Sequence, residues 1–218
     1  MSALFACNYY TWWMTVLLVF LVLYCIFEVH YFARTLYCAI SSCLLKKYVH
    51  VLDTTSYSSA CITTDVDFLL FHMNNSRYLR EIDFARTEFY MRTGLWKAIR
   101  DKGGLPVQGG TSIRYRRFIR TFTVYSISSR IVYWDQSSIY MEHRFVSRGD
   151  DFINAIVLCR NRVINCDVNQ LMEELIAEGA KKCPGNTEAP RTKPECPLEV
   201  HHWIQSNLVS SANLRNSN

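Results

Sequence analysis

No lysine, arginine, aspartate or glutamate occurs between Met1 and Phe27 of this 218-residue chain. No basic residue precedes the apolar run, and no clean small-x-small pair closes it, so the usual marks of a cleaved signal peptide are missing. Cys-x-x-Cys is also absent, which leaves a zinc site without its usual ligand spacing. The nine cysteines, at 7, 25, 38, 43, 61, 159, 166, 183 and 196, are odd in number and irregularly spaced. That argues against a disulfide framework and for reduced thiols. No Gly-x-Ser-x-Gly elbow is present, so a serine hydrolase lacks its nucleophile turn. No nucleic-acid-binding motif accompanies the basic residues, and no internal repeat is visible.

What is there begins with the apolar run itself. As a helix, Tyr9 to Phe27 would measure roughly 28 Å at about 1.5 Å per residue. A bilayer's hydrocarbon core is about 30 Å thick. Tyr9, Tyr10, Trp12 and Trp13 stand at one end, and Tyr31 and Tyr37 lie beyond the other, where interfacial aromatics belong. The expectation is a retained membrane anchor over residues 9–27; a cleaved signal followed by secretion and a buried soluble helix are the alternatives. Positive charge first appears at Arg34, Lys46 and Lys47, which favours a lumenal N-terminus and a cytosolic remainder. Residues 1–47 are accordingly read as anchor and juxtamembrane segment, residues 48–180 as the main domain, and residues 181–218 as an irregular tail with a short helix containing Trp203.

The main domain opens with β-branched and aromatic residues over 48–64, which read as a first strand or two. A helix is expected from near Asn75, capped by Asn75 or Ser76. Tyr78, Ile82, Ala85 and Phe89 recur at spacings of four, three and four to give its apolar stripe, with Arg80, Asp83 and Glu88 largely off it. Gly94 weakens that helix, and a short turn over 95–102 ends at Gly103 and Gly104. Alternating segments then predict four antiparallel strands, roughly 105–119, 120–134, 138–148 and 151–164. Asp167, with Gln170 three residues on, reads as the N-cap of a last helix running to Gly179. Pro184, Pro190, Pro194 and Pro197 mark the tail. One long helix before four antiparallel strands calls for a layered α+β domain, a curved sheet wrapped around the helix. That is the element order of the hotdog fold.

The chemistry-bearing stretch lies between the first strand and the helix. Asp65 and Asp67 precede the apolar run Phe68-Leu69-Leu70-Phe71, and His72-Met73-Asn74-Asn75 then opens the helix. A carboxylate, a polar turn and a positively polarised helix N-terminus within a few residues suit hydrolysis of an ester or thioester. Arg114, Arg116, Arg117 and Arg120 form the densest basic cluster. They cannot all face one side of a strand without a bulge, and read either as a solvated edge or as a phosphate patch.

Asp-x-Asp followed by His-x-Asn-Asn-x-x-Tyr, here Asp65-Val66-Asp67 and His72-Met73-Asn74-Asn75 with Tyr78, closely resembles the signature of the thioesterase superfamily member 6-like proteins. More broadly it is similar to hotdog domains of the 4-hydroxybenzoyl-CoA thioesterase type. The resemblance extends to the N-terminal apolar segment, Tyr133-Trp134-Asp135, the stretch Glu142–Ser147 and the late His202-Trp203-Ile204. It implies cofactor-free acyl-CoA hydrolysis at a homodimer interface, on an endoplasmic reticulum membrane. Asp67, with Asp65 as second choice, would be nucleophile or general base. His72 is the third catalytic candidate and, with Asn75, shapes the turn; Asn74, Asn75, Ser76 and Tyr78 would bind substrate, with backbone N–H groups from Asn74 to Arg77 facing the oxyanion. Arg114 and Arg116 would meet the CoA phosphates, and the acyl chain would lie beside the helix. The pattern departs at one place: five steps separate Asp67 from His72 where relatives have four, and Phe71 stands where they place Gly. The alternative is a non-catalytic hotdog scaffold that binds lipid or a protein partner.

Overall fold

The computed structural model describes residues 2–183 and 191–216, without the side chains of residues 2–8 and 25. Pro184 and Pro190, and the thiols of Cys7 and Cys25, fall outside that description; the seven described cysteines are all free thiols. Two helices, α1 (Ser2–Ile26) and α2 (Val29–Leu44), precede strand β1 (Thr55–Ala60). The central helix α3 (Asn75–Arg92) and a short α4 (Leu95–Asp101) follow, then β2 (Leu105–Tyr115), β3 (Val124–Trp134), β4 (Ser138–Ser147) and β5 (Ile153–Ile164). Helices α5 (Val168–Lys182) and α6 (Leu198–Asn216) end the chain. The strands form one antiparallel sheet in the order β1-β3-β4-β5-β2, with α3 against it. This is the expected α+β hotdog arrangement.

Tyr78, Ile82 and Ala85 of α3 are buried with Ile127, Phe145 and Val157 of the sheet, and Phe89 with Ile131, Met141 and Leu171. Full burial of each large side chain stabilises by about 1.5–3 kcal/mol, so this stripe alone fixes helix on sheet. Gly94, at φ 74, ends α3 in the left-handed conformation that glycine adopts without cost. Helix α5 starts where Asp167 predicts, the carboxylate accepting the Asn169 and Gln170 N–H groups. It does not stop at Gly179, however. A Cβ there would lie 2.5 Å from the His50 ring, so this glycine serves close packing and the helix continues to Lys182.

Two strand boundaries differ from the alternation. β2 ends at Tyr115 because the Asn154 carbonyl accepts both the Arg116 and Arg117 N–H groups, a bulge that releases the chain from the sheet. Residues 118–121 then run beside the turn that precedes α3, with Met73 N–H donating to Ile119 O and an isolated bridge joining His72 to Arg120.

The larger difference is on α3. Glu88, expected off the stripe, is completely buried, and Glu81 is 1% exposed. Helix α2 covers this second face. Arg34 of α2 forms a two-pronged ion pair with Glu81 at 2.6 and 2.7 Å, and Lys46 and Arg92 both meet Glu88, at 2.5 and 3.0 Å. Glu81 further accepts hydrogen bonds from the Ser59 and Tyr125 hydroxyls, and the Arg34 guanidinium lies 4.1 Å from the Phe84 ring centroid. Residues 28–47 thus pack as part of the hotdog layer.

For α1, no single helix among the described residues is long and apolar enough to cross a membrane by itself. Tyr9–Tyr24 and Val29–Leu44 meet that measure only as a pair, across a bend of 73°. The α1 side chains from Tyr9 onward are predominantly exposed and apolar. At the tail, α6 is a full helix, not a short one, and sets Trp203 over Gly110 and Tyr140 on the sheet's other face.

One buried group makes stability depend on pH. His143 of β4 is fully buried, with Ser129 Oγ 2.8 Å from Nδ1, and burial lowers its pKa to about 3. The unfolded chain takes up this proton below about pH 6.5, whereas the folded protein resists until about pH 3. The unfolded state therefore binds more protons in that window, and stability falls as pH drops through it, by up to about 1.4 kcal/mol per unit. Thermal melts between pH 7 and 4 are expected to show this decline, with a shallower slope in His143→Asn.

Candidate functional site

The turn between β1 and α3 is built by backbone pairing. Val66 and Met73 form an isolated bridge, and the Asp67 N–H donates to His72 O at 2.8 Å. The four residues between them, Phe68 to Phe71, make a tight loop closed by Phe71 N–H on Asp67 O at 3.0 Å. All four side chains point outward, Phe68 and Leu69 being 83% and 81% exposed, so the apolar insert does not fill the site. The extra length beside His72 is absorbed at Phe71, which adopts φ 50. A left-handed conformation costs a Cβ-bearing residue roughly 1–2 kcal/mol, and glycine nothing comparable. Phe71→Gly is therefore expected to stabilise the fold by up to about 1 kcal/mol after glycine's greater freedom in the unfolded chain is counted, read as a higher urea midpoint. A lower midpoint would mean that Phe71 contributes packing rather than strain.

The two carboxylates have different tasks. Asp65 is buried at the end of a one-turn 3-10 helix (Thr63–Asp65), and its Oδ2 accepts the Ile62 N–H at 3.1 Å. Its backbone oxygen accepts the Asn74 N–H at 2.8 Å, which ties this turn to the start of α3. Asp65 is thus engaged in local structure. Asp67 is half-buried, and among the described residues only its Oδ1 is occupied, by the Leu69 N–H at 3.0 Å. The other oxygen is available for chemistry.

His72 Nδ1 lies 2.9 Å from the Met73 carbonyl, which can only accept, so the proton of the neutral ring sits on Nδ1. Nε2 then carries a lone pair, and it has no hydrogen-bond partner among the described residues although buried. The ring stacks on Phe118 with centroids 4.2 Å apart. The fixed tautomer leaves Nε2 as a hydrogen-bond acceptor.

The cap of α3 is one residue earlier than the sequence suggests. Asn74, not Asn75 or Ser76, has the extended N-cap backbone, and its Oδ1 accepts the Ser76 N–H at 3.0 Å and the Ser76 hydroxyl at 2.7 Å. Asn74 O also takes the Arg77 N–H. This leaves the Asn75 N–H as the first-turn donor not engaged by the cap, at the positive end of the helix dipole. Tyr78 is core, packed edge-on to Phe145 and Tyr115, and burial raises its hydroxyl to about 12. Tyr115 at the end of β2 donates to Asn75 O at 3.1 Å and so closes the other side of the turn.

The arginines separate. Arg114 is an exposed β2 residue opposite Ile156, and Arg116 is held by the Ile153 carbonyl and the Phe152 ring. No described contact brings either to the Asp67 turn. Arg120 comes beside His72 instead, and the next residue, Thr121, donates to Phe71 O at 3.0 Å. Arg117 and Arg120 line an open cavity of about 420 Å³ with Phe118, Thr123 and Ser147. Arg117 is neutralised there by a two-pronged pair with Asp150 at 2.6 and 2.8 Å, which leaves Arg120 as the cation nearer the turn. Phe118 and Arg120 were obscured in the sequence because their placement depends on the bulge at Asn154. Among the described residues, no three His, Cys, Asp or Glu side chains gather as a metal site requires.

A family model described as the thioesterase-like superfamily matches residues 61–204. The chain is 38% identical over 202 residues to Protein THEM6 of Drosophila melanogaster, which covers 93% of this chain and 98% of that protein. To Protein THEM6 of Xenopus laevis it is 37% identical over 193 residues, 88% of this chain and 87% of that one. Among solved structures, the probable thioesterase YbaW of Escherichia coli superposes with a TM-score of 0.52 at 16% identity, over 56% of this chain and 95% of its own. SAV2348 of Staphylococcus aureus, solved in complex with CoA, gives 0.50 at 13% identity, over 69% of this chain and all of its own. At such identities the structural likeness is one of fold.

Proposed function

The chain belongs to the thioesterase-like superfamily, as a homologue of the THEM6 proteins, and from that premise we propose that it is a membrane-anchored acyl-CoA thioesterase acting on fatty acyl groups. The observation that carries the reading is the half-buried Asp67, with one oxygen unoccupied, on a turn that ends at the N-terminus of α3. Asp67 acts as nucleophile or as general base. In the latter case it takes a proton from water as the water oxygen attacks the thioester carbonyl, the Asn75 N–H faces the developing oxyanion, and the carbon–sulfur bond breaks. The proton returns to the departing CoA thiolate. The reaction needs no cofactor. Arg120 is the phosphate-facing candidate in place of Arg114 and Arg116, and the exposed Phe68–Phe71 loop supports an apolar acyl group beside the turn.

Anchoring is assigned to α1, supported by its uncharged sequence and exposed apolar side chains. The orientation places the hotdog layer in the cytosol, with the endoplasmic reticulum as the membrane. Two copies pair through the unpaired outer edge of β2, eleven residues long and the natural place for a sheet to continue. The test is release of free CoA by the full chain from acyl-CoAs of graded length. Turnover rising with chain length to an optimum is expected. Binding without turnover across the series would favour the scaffold reading, for which the five-step spacing and the strained Phe71 speak.

A further inference from the structure

Six apolar side chains stand in solvent on two neighbouring segments beside the Asp67 turn. Phe68, Leu69, Leu70 and Phe71 form its tip, with the Phe68 and Phe71 rings 6.3 Å apart. Phe118 and Phe122 come from the segment alongside, where Thr121 binds Phe71 O through both its N–H and its hydroxyl. Each of the six is at least 65% exposed. An exposed apolar patch of this kind marks an interaction surface. Phe71 and Phe122 moreover sit at φ 50 and 63. Such backbone disfavours a Cβ-bearing residue and concentrates at functional sites. Neither ring is held there by burial.

The place of the patch in the fold indicates what covers it. Helix α2 runs parallel to α3, from Glu28 paired with Arg80 at 2.8 Å, through Arg34 on Glu81, to Lys46 on Glu88. The chain therefore leaves α1 at the N-terminal end of α3, the end that carries the loop. Arg80 lies only roughly 9 Å beyond Asn74 along α3, at about 1.5 Å per residue. Residues 1–27 carry no charge, and the α1 side chains from Tyr9 onward are predominantly exposed and apolar. Held in a bilayer, α1 delivers Glu28 to the headgroup layer, about 5–8 Å deep on each side of the hydrocarbon. The loop is then within reach of the same layer.

The charge beside the loop matches such a surface. Arg77 and Arg120 make no ion pair among the described residues. Asp65 is buried, and Asp67 is half-buried at the base of the loop. Exposed aromatics flanked by cations suit an anionic phospholipid surface. A second copy seated here about a two-fold axis would instead bring these arginines toward their own counterparts.

We propose that the Phe68–Phe71 loop, with Phe118 and Phe122, is a second membrane contact, and that a phospholipid bilayer covers it. The inference rests on the assignment of α1 as the anchor and adds to it. The anchor ties the chain to the membrane, and the loop sets the orientation of the domain upon it. Asp67 then stands at the headgroup layer, where an acyl-CoA whose chain is dissolved in lipid presents its thioester.

The test uses the full chain in vesicles of phosphatidylcholine and phosphatidylserine. The photo-crosslinking residue p-benzoylphenylalanine is placed at one position per sample, and adducts are read by mass spectrometry. In place of Phe20 it reports the anchor, and in place of Leu69 the loop. In place of Lys97, exposed on α4 at the far end of α3, it gives the background. Lipid adducts are expected at the first two positions, at least about tenfold above the third. The double change Phe68→Glu and Leu70→Glu should cut the adduct at position 69 by about fivefold or more, since carboxylates resist entry into the bilayer. It should leave the adduct at position 20 and the melting temperature unchanged, because both replaced side chains are exposed. Adducts at 20 without any at 69 overturn the loop contact and leave the anchor standing. Adducts at 69 without any at 20 remove the anchor and keep the loop contact; absence of both removes both. A chain-to-chain crosslink at 69 in place of lipid assigns the patch to a second copy and overturns the proposal, as does an adduct indifferent to the two glutamates.

Discussion

Arg34→Ala is expected to lower the stability of the protein by about 3–5 kcal/mol, because it leaves the Glu81 carboxylate buried without its cation. Glu81 is 1% exposed, so water cannot replace the lost partner. Its remaining bonds, from Ser59 and Tyr125, are neutral donors and compensate only in part. The guanidinium also stacks on Phe84 and meets the Tyr57 hydroxyl at 3.0 Å, so Arg34→Lys should restore charge without restoring full stability. For a chain of this size the alanine variant should melt roughly 10 °C lower. Lys46→Ala should cost less, because Arg92 still pairs with Glu88. It follows that a fragment beginning at residue 48, which loses Arg34 and Lys46 together, should be poorly folded. Restoration of the melting temperature of Arg34→Ala by Glu81→Gln would tie the effect to the stranded charge. An unchanged melting temperature in Arg34→Ala would mean that α2 is only loosely attached.

How much of this was legible in the sequence depended on whether a residue's environment is local. The stripe Tyr78, Ile82, Ala85 and Phe89 could be read because one helix face meets one sheet, and the alternation of β3 to β5 could be read for the same reason. The Asp167 cap needed only its own neighbours. Glu81 and Glu88 could not be placed, since their burial comes from α2, some 40 residues earlier, and nothing in the pattern of α3 announces a second covered face. The order of the site residues was visible in Asp-x-Asp and His-x-Asn-Asn. Which carboxylate is free was not, because that turns on whether the Ile62 N–H reaches Asp65. The same holds for Arg120, which joins the turn only because the bulge at Asn154 releases residues 116–123 from the sheet.

Asp67→Asn carries the other large expected effect. An amide keeps the shape of the side chain, and its oxygen can still accept the Leu69 N–H, so the turn should persist and the melting temperature should stay within a degree or two. An amide can neither take a proton from water nor attack the thioester as a carboxylate does. Turnover should therefore fall by about 10²–10⁴-fold with little change in affinity for acyl-CoA. Asp65→Ala should behave in the opposite way and lose stability first, because it strands the Ile62 N–H and loosens the turn that carries Asn74.

The most direct measurement is the kcat for CoA release by the full chain, determined for the wild type, Asp67→Asn and Asp65→Ala together with their melting temperatures. The account predicts that Asp67→Asn loses at least a hundredfold in kcat at an unchanged melting temperature, while Asp65→Ala melts early. Wild-type turnover in a folded Asp67→Asn protein would contradict it.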